Sequence, residues 1–132
     1  ARGEDPKAIT QRALAALGGI ERFVQSGHDV IIKPNICVDY RTFEYAATTN
    51  PEVVAALVEL CLGAGAKRVR VMDIPYTSDP QTAYKTSGIQ DAVVEAGGEM
   101  ELMTGLPQDS LLAFRPASMA AEGRLVAAQM SA

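Results

Sequence analysis

Val30-Ile31-Ile32-Lys33-Pro34-Asn35 leads into a long polar loop that ends at Thr48-Thr49-Asn50-Pro51-Glu52. An apolar, β-branched run that stops at proline reads as a central strand, because proline has no amide proton with which to continue a ladder. Thr49 or Asn50 then caps a helix, with Pro51 at its first position and Glu52 in its first turn. The residues between show no periodicity. Loops longer than about 12–15 residues inside a compact domain are usually functional or disordered, and function is the expectation here.

Working outward, the helix beginning at Pro51 runs to about Leu62. Val53, Val54, Leu57, Val58, Leu60 and Cys61 form a broad apolar stripe suited to a sheet. Gly63-Ala64-Gly65 closes it, and Val69, Val71 and Met72 make a second strand ending at Asp73. These glycines follow a helix and precede a strand, the reverse of a dinucleotide-binding loop, so that motif is excluded. Upstream, Asp5-Pro6 caps a helix of about thirteen residues, stopped by Gly18-Gly19. A short helical turn at Ile20, Phe23 and Val24 follows, and Gly27-His28-Asp29 leads into the first strand. Downstream, a polar connection from Pro75 to Thr82 precedes a third helical stretch interrupted at Gly88, with Ile89, Ala92, Val93 and Ala96 inward. Met100, Leu102 and Met103 form a third strand.

The order helix, strand, helix, strand, helix, strand implies right-handed crossovers. The expected fold is α/β: a three-layer, mostly parallel sheet with helices on both faces, Rossmann-like and partial. Residues 1–104 form this α/β domain. Residues 105–132 read as an irregular tail, with Leu111, Leu112 and Phe114, or Leu125-Val126-Ala127-Ala128, as an extra strand or helix.

Hydrophobic residues make up 48% of the chain and charged ones 21%, an ordinary globular balance. The net charge of −4, with no basic run, argues against nucleic acid or an anionic membrane as partner. Lys67, Arg68 and Arg70 read as a solvated strand entrance. No stretch reaches the ~20 apolar residues of a membrane span, no signal segment opens the chain, and a cytoplasmic location is expected. Cys37 and Cys61 are too few to build a metal cage. Cys61 reads as a buried hydrophobe, and Cys37, in the long loop, as a structural thiol whose reactivity sequence does not show. His28, the only histidine, reads as a turn residue.

Loops leaving the carboxyl ends of parallel strands gather on one side. The loop from Lys33 to Asn50 and the loop from Asp73 to Thr82 should therefore form one cleft. Lys33 supplies a cation, Asn35 an amide, Thr48 and Thr49 hydroxyls, and the helix start at Asn50 backbone amides with a positive dipole end. Together they suit a phosphate or carboxylate. Asp73 is placed to hold a metal, a ribose hydroxyl or Lys33 itself. A purely structural reading stands beside this: Thr49-Asn50-Pro51-Glu52 is a sufficient helix start without a ligand, and Lys33 with Asp73 an ion pair between strand ends. Tyr40, Arg41, Glu44 and Tyr45 lie in the same loop, where they could close over a ligand, though scattered polar and aromatic residues are normal in loops.

Several ordered motifs together resemble a prokaryotic family, the domain-of-unknown-function 362 family, often labelled iron–sulfur cluster-binding proteins. They are Gly18-Gly19-Ile20, Val30 to Asn35, Thr48 to Val54, Gly63-Ala64-Gly65-Ala66, and Tyr84-Lys85 with Ser87-Gly88-Ile89. They cover roughly residues 1–103, the amino-terminal part of the family domain. The resemblance implies a redox-associated role, electron transfer or redox maturation, because members often carry a ferredoxin-like cysteine cluster beside the domain. This chain has no such cluster, so the metal-binding and iron–sulfur association falls to the full-length protein or a partner. The family's later lysine, histidine and Lys-Asn motif is not matched in 105–132. The first residue is Ala rather than Met, and members have a strand just before Arg2-Gly3-Glu4-Asp5, so a fragment of a longer protein is expected. The expected function is a redox-associated α/β domain binding a small anionic ligand, with catalysis unassigned. The alternative is a non-catalytic module, or truncated fragment, that packs on a ferredoxin-like domain or subunit or forms a homo-oligomer.

Overall fold

The computed structural model describes residues 1–103, and the unit considered is Ala1–Leu102. The expectations placed on residues 105–132, including Leu111 to Phe114 and Leu125 to Ala128, lie outside the described residues.

Seven regular elements follow in order: α1 (Pro6–Ala16), β1 (Asp29–Ile32), α2 (Pro51–Gly63), β2 (Arg68–Asp73), α3 (Pro80–Thr86), α4 (Ile89–Glu95) and β3 (Glu99–Leu102). Three of the helices begin the same way, with a capping side chain and proline at the start. Asp5 accepts from Ala8 N, Asn50 from Glu52 N, and Asp79 from Gln81 N and Thr82 N. Each acceptor meets an amide that the helix itself leaves open. α1 ends two residues before Gly18, shorter than its spacing suggests, because Leu17 already leaves helical geometry. Gly88, at φ +74°, divides α3 from α4, a backbone region that residues with a Cβ adopt only under strain.

The sheet order is β1-β2-β3, parallel throughout. Val30 pairs with Val69, Ile32 with Val71, and Val71 with Met100, so these five side chains share one face. With right-handed crossovers running one way across the sheet, α2 and α4 fall on that same side. The core agrees: Val54, Val58 and Cys61 of α2, Tyr84 of α3, and Ile89 and Val93 of α4 cluster with Val69 and Val71. Gly98 lets this layer close, since a Cβ there would stand 2.9 Å from a Val58 methyl and 3.0 Å from a Val93 methyl. The arrangement is a parallel α/β fold, partial and Rossmann-like.

The opposite face of the sheet is charged. Arg70 donates to Asp29 (2.9 Å) and Glu101 (3.3 Å), and Arg68 to Glu99 and Glu101 (both 2.6 Å). Arg68 and Arg70 are therefore members of a ladder across all three strands, where the sequence suggested a solvated strand entrance. Hydrogen bonding to Glu99 raises the Arg68 pKa further above its ordinary value, and Arg68 in turn lowers that of Glu99. Among the described residues no helix is long and apolar enough to cross a membrane.

Candidate functional site at the carboxyl end of the sheet

β1 and β2 end side by side, which brings Lys33 and Asp73 together. Lys33 Nζ lies 2.5 Å from Asp73 Oδ1, with the Asp73 side chain 5% exposed and that of Lys33 61%. The other carboxylate oxygen, Oδ2, accepts from the Ile36 amide at 2.7 Å. Asp73 is thus held at both oxygens by donors, both of them on the loop that follows β1. Its backbone is held as well: the Tyr84 hydroxyl accepts from Asp73 N (3.0 Å) and donates to Asp73 O (2.6 Å).

The long loop is closed at its neck. Ile36 and Thr48 form an antiparallel bridge. Thr49 N donates to Asn35 O (2.8 Å) and Cys37 N to Ala47 O (3.2 Å). Side chains reinforce the neck. The Asn35 amide nitrogen of the backbone donates to Thr49 Oγ1 (2.9 Å), its side-chain Nδ2 to Ala47 O (3.1 Å), and the Thr48 hydroxyl to Asn35 O (2.8 Å). The loop also carries a 3-10 turn, Phe43–Tyr45, followed by Ala46 at φ +55°. At its far end the Arg41 guanidinium lies 4.5 Å from the ring centre of Tyr45 and 5.9 Å from that of Tyr40.

Two further bonds join this loop to the one after β2: Tyr76 N donates to Cys37 O (2.7 Å), and the Thr77 hydroxyl to Asp39 Oδ2 (2.5 Å). The strand order does not reverse between β1 and β2, so the two loops leave on one side and bond to each other. A crevice of the kind found where strand order switches does not open between them. A surface hollow of about 320 Å³ lies alongside, lined by Pro75, Tyr76, Thr77 and Ser78.

The structure thus brings Lys33 and Asp73 together and, separately, joins Asn35, Thr48 and Thr49 in the loop neck, with Asn50 next in sequence as helix cap. It differs from the sequence expectation at the start of α2. The amides expected to be open there are used: Asn50 Oδ1 accepts from Glu52 N (2.8 Å), Asn50 O from Val53 N and Val54 N, and Pro51 has none. Tyr84, Ile36, Asp39 and Thr77 were not singled out as site residues. Tyr84 carried a signal, a tyrosine within the core-facing turn before Ile89. The Asp39 and Thr77 partnership joins residues far apart with no period to reveal it. Cys61 is buried and Cys37 exposed, and burial raises the Cys61 thiol pKa. His28 sits in its turn, with Nδ1 accepting from Gln25 N. Among the described residues no group of three or more His, Cys, Asp and Glu side chains is placed to hold a metal ion.

The described residues thus form a parallel α/β unit with a lysine–aspartate pair at the strand ends and a bonded loop beside it. The chain belongs to the family described as a domain of unknown function, DUF362, whose model matches residues 30–123. The match starts at β1 and extends beyond the motifs quoted above, to residue 123. No curated protein and no solved structure matches the chain.

Proposed function

We propose that this unit binds a small anionic ligand at the mouth formed by Lys33, Asn35, Thr48, Thr49, Asn50 and Asp73, as part of a redox-associated cytoplasmic protein. The observation that carries the reading is which atoms the loop closure leaves over. Thr49 and Asn50 contribute side-chain oxygens as acceptors to the backbone, so the Thr49 hydroxyl proton and the Asn50 amide protons remain for a ligand. Lys33 uses its ammonium on Asp73 and, at 3.4 Å, on Pro34 O, and a third proton is left on a largely exposed group. Donors without acceptors are what a phosphate or carboxylate requires. Thr48 and Asp73 hold the frame: the Thr48 proton is given to Asn35 O, and each Asp73 oxygen accepts from a donor of the loop.

An iron–sulfur cluster, in this reading, sits on a ferredoxin-like domain or subunit outside these residues, because a usual cluster takes four thiolates and the chain has two cysteines. The second reading, a non-catalytic module packing on such a partner or on a second copy, is favoured by the exposed tip of the long loop. Tyr and Arg are the residue types that dominate binding energy at protein interfaces, and Tyr40, Arg41 and Tyr45 stack there in the open.

Thermal unfolding in inorganic phosphate tests the ligand reading. Stabilisation should grow with concentration, reaching about 2.7 kcal/mol at a hundredfold excess over the dissociation constant. Lys33→Ala should remove it. An equal shift in the variant would assign the effect to another surface.

A further inference from the structure

Three of the four tyrosines are exposed, and only one of the three leaves its ring free. Tyr40 and Tyr45 carry Arg41 on their faces. Tyr76 is 89% exposed, and its side chain has no partner among the described residues. The backbone beneath it is nevertheless anchored. Tyr76 N is bonded to Cys37 O and Thr77 N to Pro75 O, and the Thr77 hydroxyl to Asp39. A flat ring on a fixed backbone presents a π-face while only its own two torsions remain to be ordered, which keeps the cost of binding low.

The ring lines the hollow together with Pro75, Thr77 and Ser78. The hollow is open to solvent and built from these four consecutive residues alone, so it offers the ring face rather than an enclosing pocket. Tyr76 lies three residues beyond Asp73, so their α-carbons are at most about 11 Å apart, and Asp73 carries Lys33. A cation and an aromatic platform therefore stand at opposite ends of one short segment.

We propose that the anion of the mouth is attached to a flat heteroaromatic ring, as in a nucleotide, with the anionic group on Lys33 and the ring stacked on Tyr76 over the hollow. This rests on the anion-binding reading and names its ligand class. Stacking would recognise the ring without choosing among bases, since every base has a π-face.

Calorimetry on the whole chain with adenosine 5′-monophosphate, ribose 5-phosphate, inorganic phosphate and adenosine tests it. The nucleotide should bind about tenfold more tightly than ribose 5-phosphate, the scale of one base–aromatic stack. Tyr76→Ala should erase that difference while leaving ribose 5-phosphate unchanged, and Tyr76→Phe should keep it. Equal affinity for the two phosphate esters, or a difference that survives Tyr76→Ala, overturns the proposal and leaves the anion site standing. Failure of all three phosphate compounds to bind overturns both. Because Tyr76 is exposed, the variants should fold as the parent does, which matching circular dichroism would verify.

Discussion

On the helix-covered face, Val58, Val71, Ile89 and Val93 are fully buried and pack among other apolar side chains. At the mouth, Ile36 is buried almost as deeply, yet its backbone is fixed by polar partners, with its amide on Asp73 and its bridge to Thr48. The first region is held by burial, which is non-directional and grows with area. The second is held by a few directional bonds between loops. The difference bears on function, because every polar atom that closes the loop is one a ligand cannot use. Residue types alone suggested six groups facing a ligand. The bonds show which of them still have donors to offer.

The comparison predicts two kinds of failure. Ile89→Ala should cost about 2–5 kcal/mol, the range for deleting a large aliphatic side chain from a core, read as a fall in denaturant midpoint. At the mouth, Asp73→Ala should cost about 1–3 kcal/mol, because it strands the buried Ile36 amide. Asp73→Asn should cost less, about 0–1 kcal/mol, since its side-chain oxygen can still accept that bond and only the pairing with the exposed Lys33 is lost. If the asparagine variant were as damaging as the alanine one, the ion pair and not the hydrogen bond would be what holds the mouth.

Much of the fold was legible because it is locally encoded. Pro51 follows a capping residue at a helix start, Gly88 breaks a helical run, and Val30 to Ile32 stop at Pro34; α3 begins earlier than expected, since its cap Asp79 and Pro80 lie inside the stretch read as a connection up to Thr82. The third strand was legible with its boundary shifted, since Glu99 begins it and Met103 lies beyond it. The charged face was harder to see. Arg68 and Arg70 alternate with Val69 and Val71, but their partners Asp29, Glu99 and Glu101 come from other strands. For the site, the strand ends offered Lys33 as one of three partners for Asp73, and that pairing, the structural one of the readings, is what forms. The bonds from Ile36 to Asp73 and from Thr77 to Asp39 depend on tertiary approach alone, and so did the question of which donors stay open.

The ladder offers a smaller perturbation on the face opposite α2 and α4. Asp29→Asn removes one partner of Arg70 but leaves Glu101, so the loss should be about 0.2–1 kcal/mol at low salt. It should shrink further in about 1 M salt, where the Debye length is about 3 Å. Urea unfolding of both proteins at the two ionic strengths measures it. A large loss unaffected by salt would mean that this face is held as the core is.

The smallest effect belongs to the cap of α3. Thr82 hydroxyl and backbone bonds hold the Asp79 pKa below its ordinary value, so the carboxylate binds a proton less readily in the folded chain than in the unfolded one. A depressed carboxylate stabilises fully above its unfolded pKa, about pH 4, and that contribution is lost as pH falls through the lower folded value. Asp79 is exposed, so the change should be confined to the first turn of α3, where Gln81 N and Thr82 N rely on its side chain. Amide exchange at those two positions should accelerate, relative to an Asp79→Asn control, as pH drops below about 4. The amides of Glu52 and Val53 in α2 are capped by neutral Asn50 and should show no such step, and a parallel change in both helices would trace the effect to global unfolding rather than to this carboxylate.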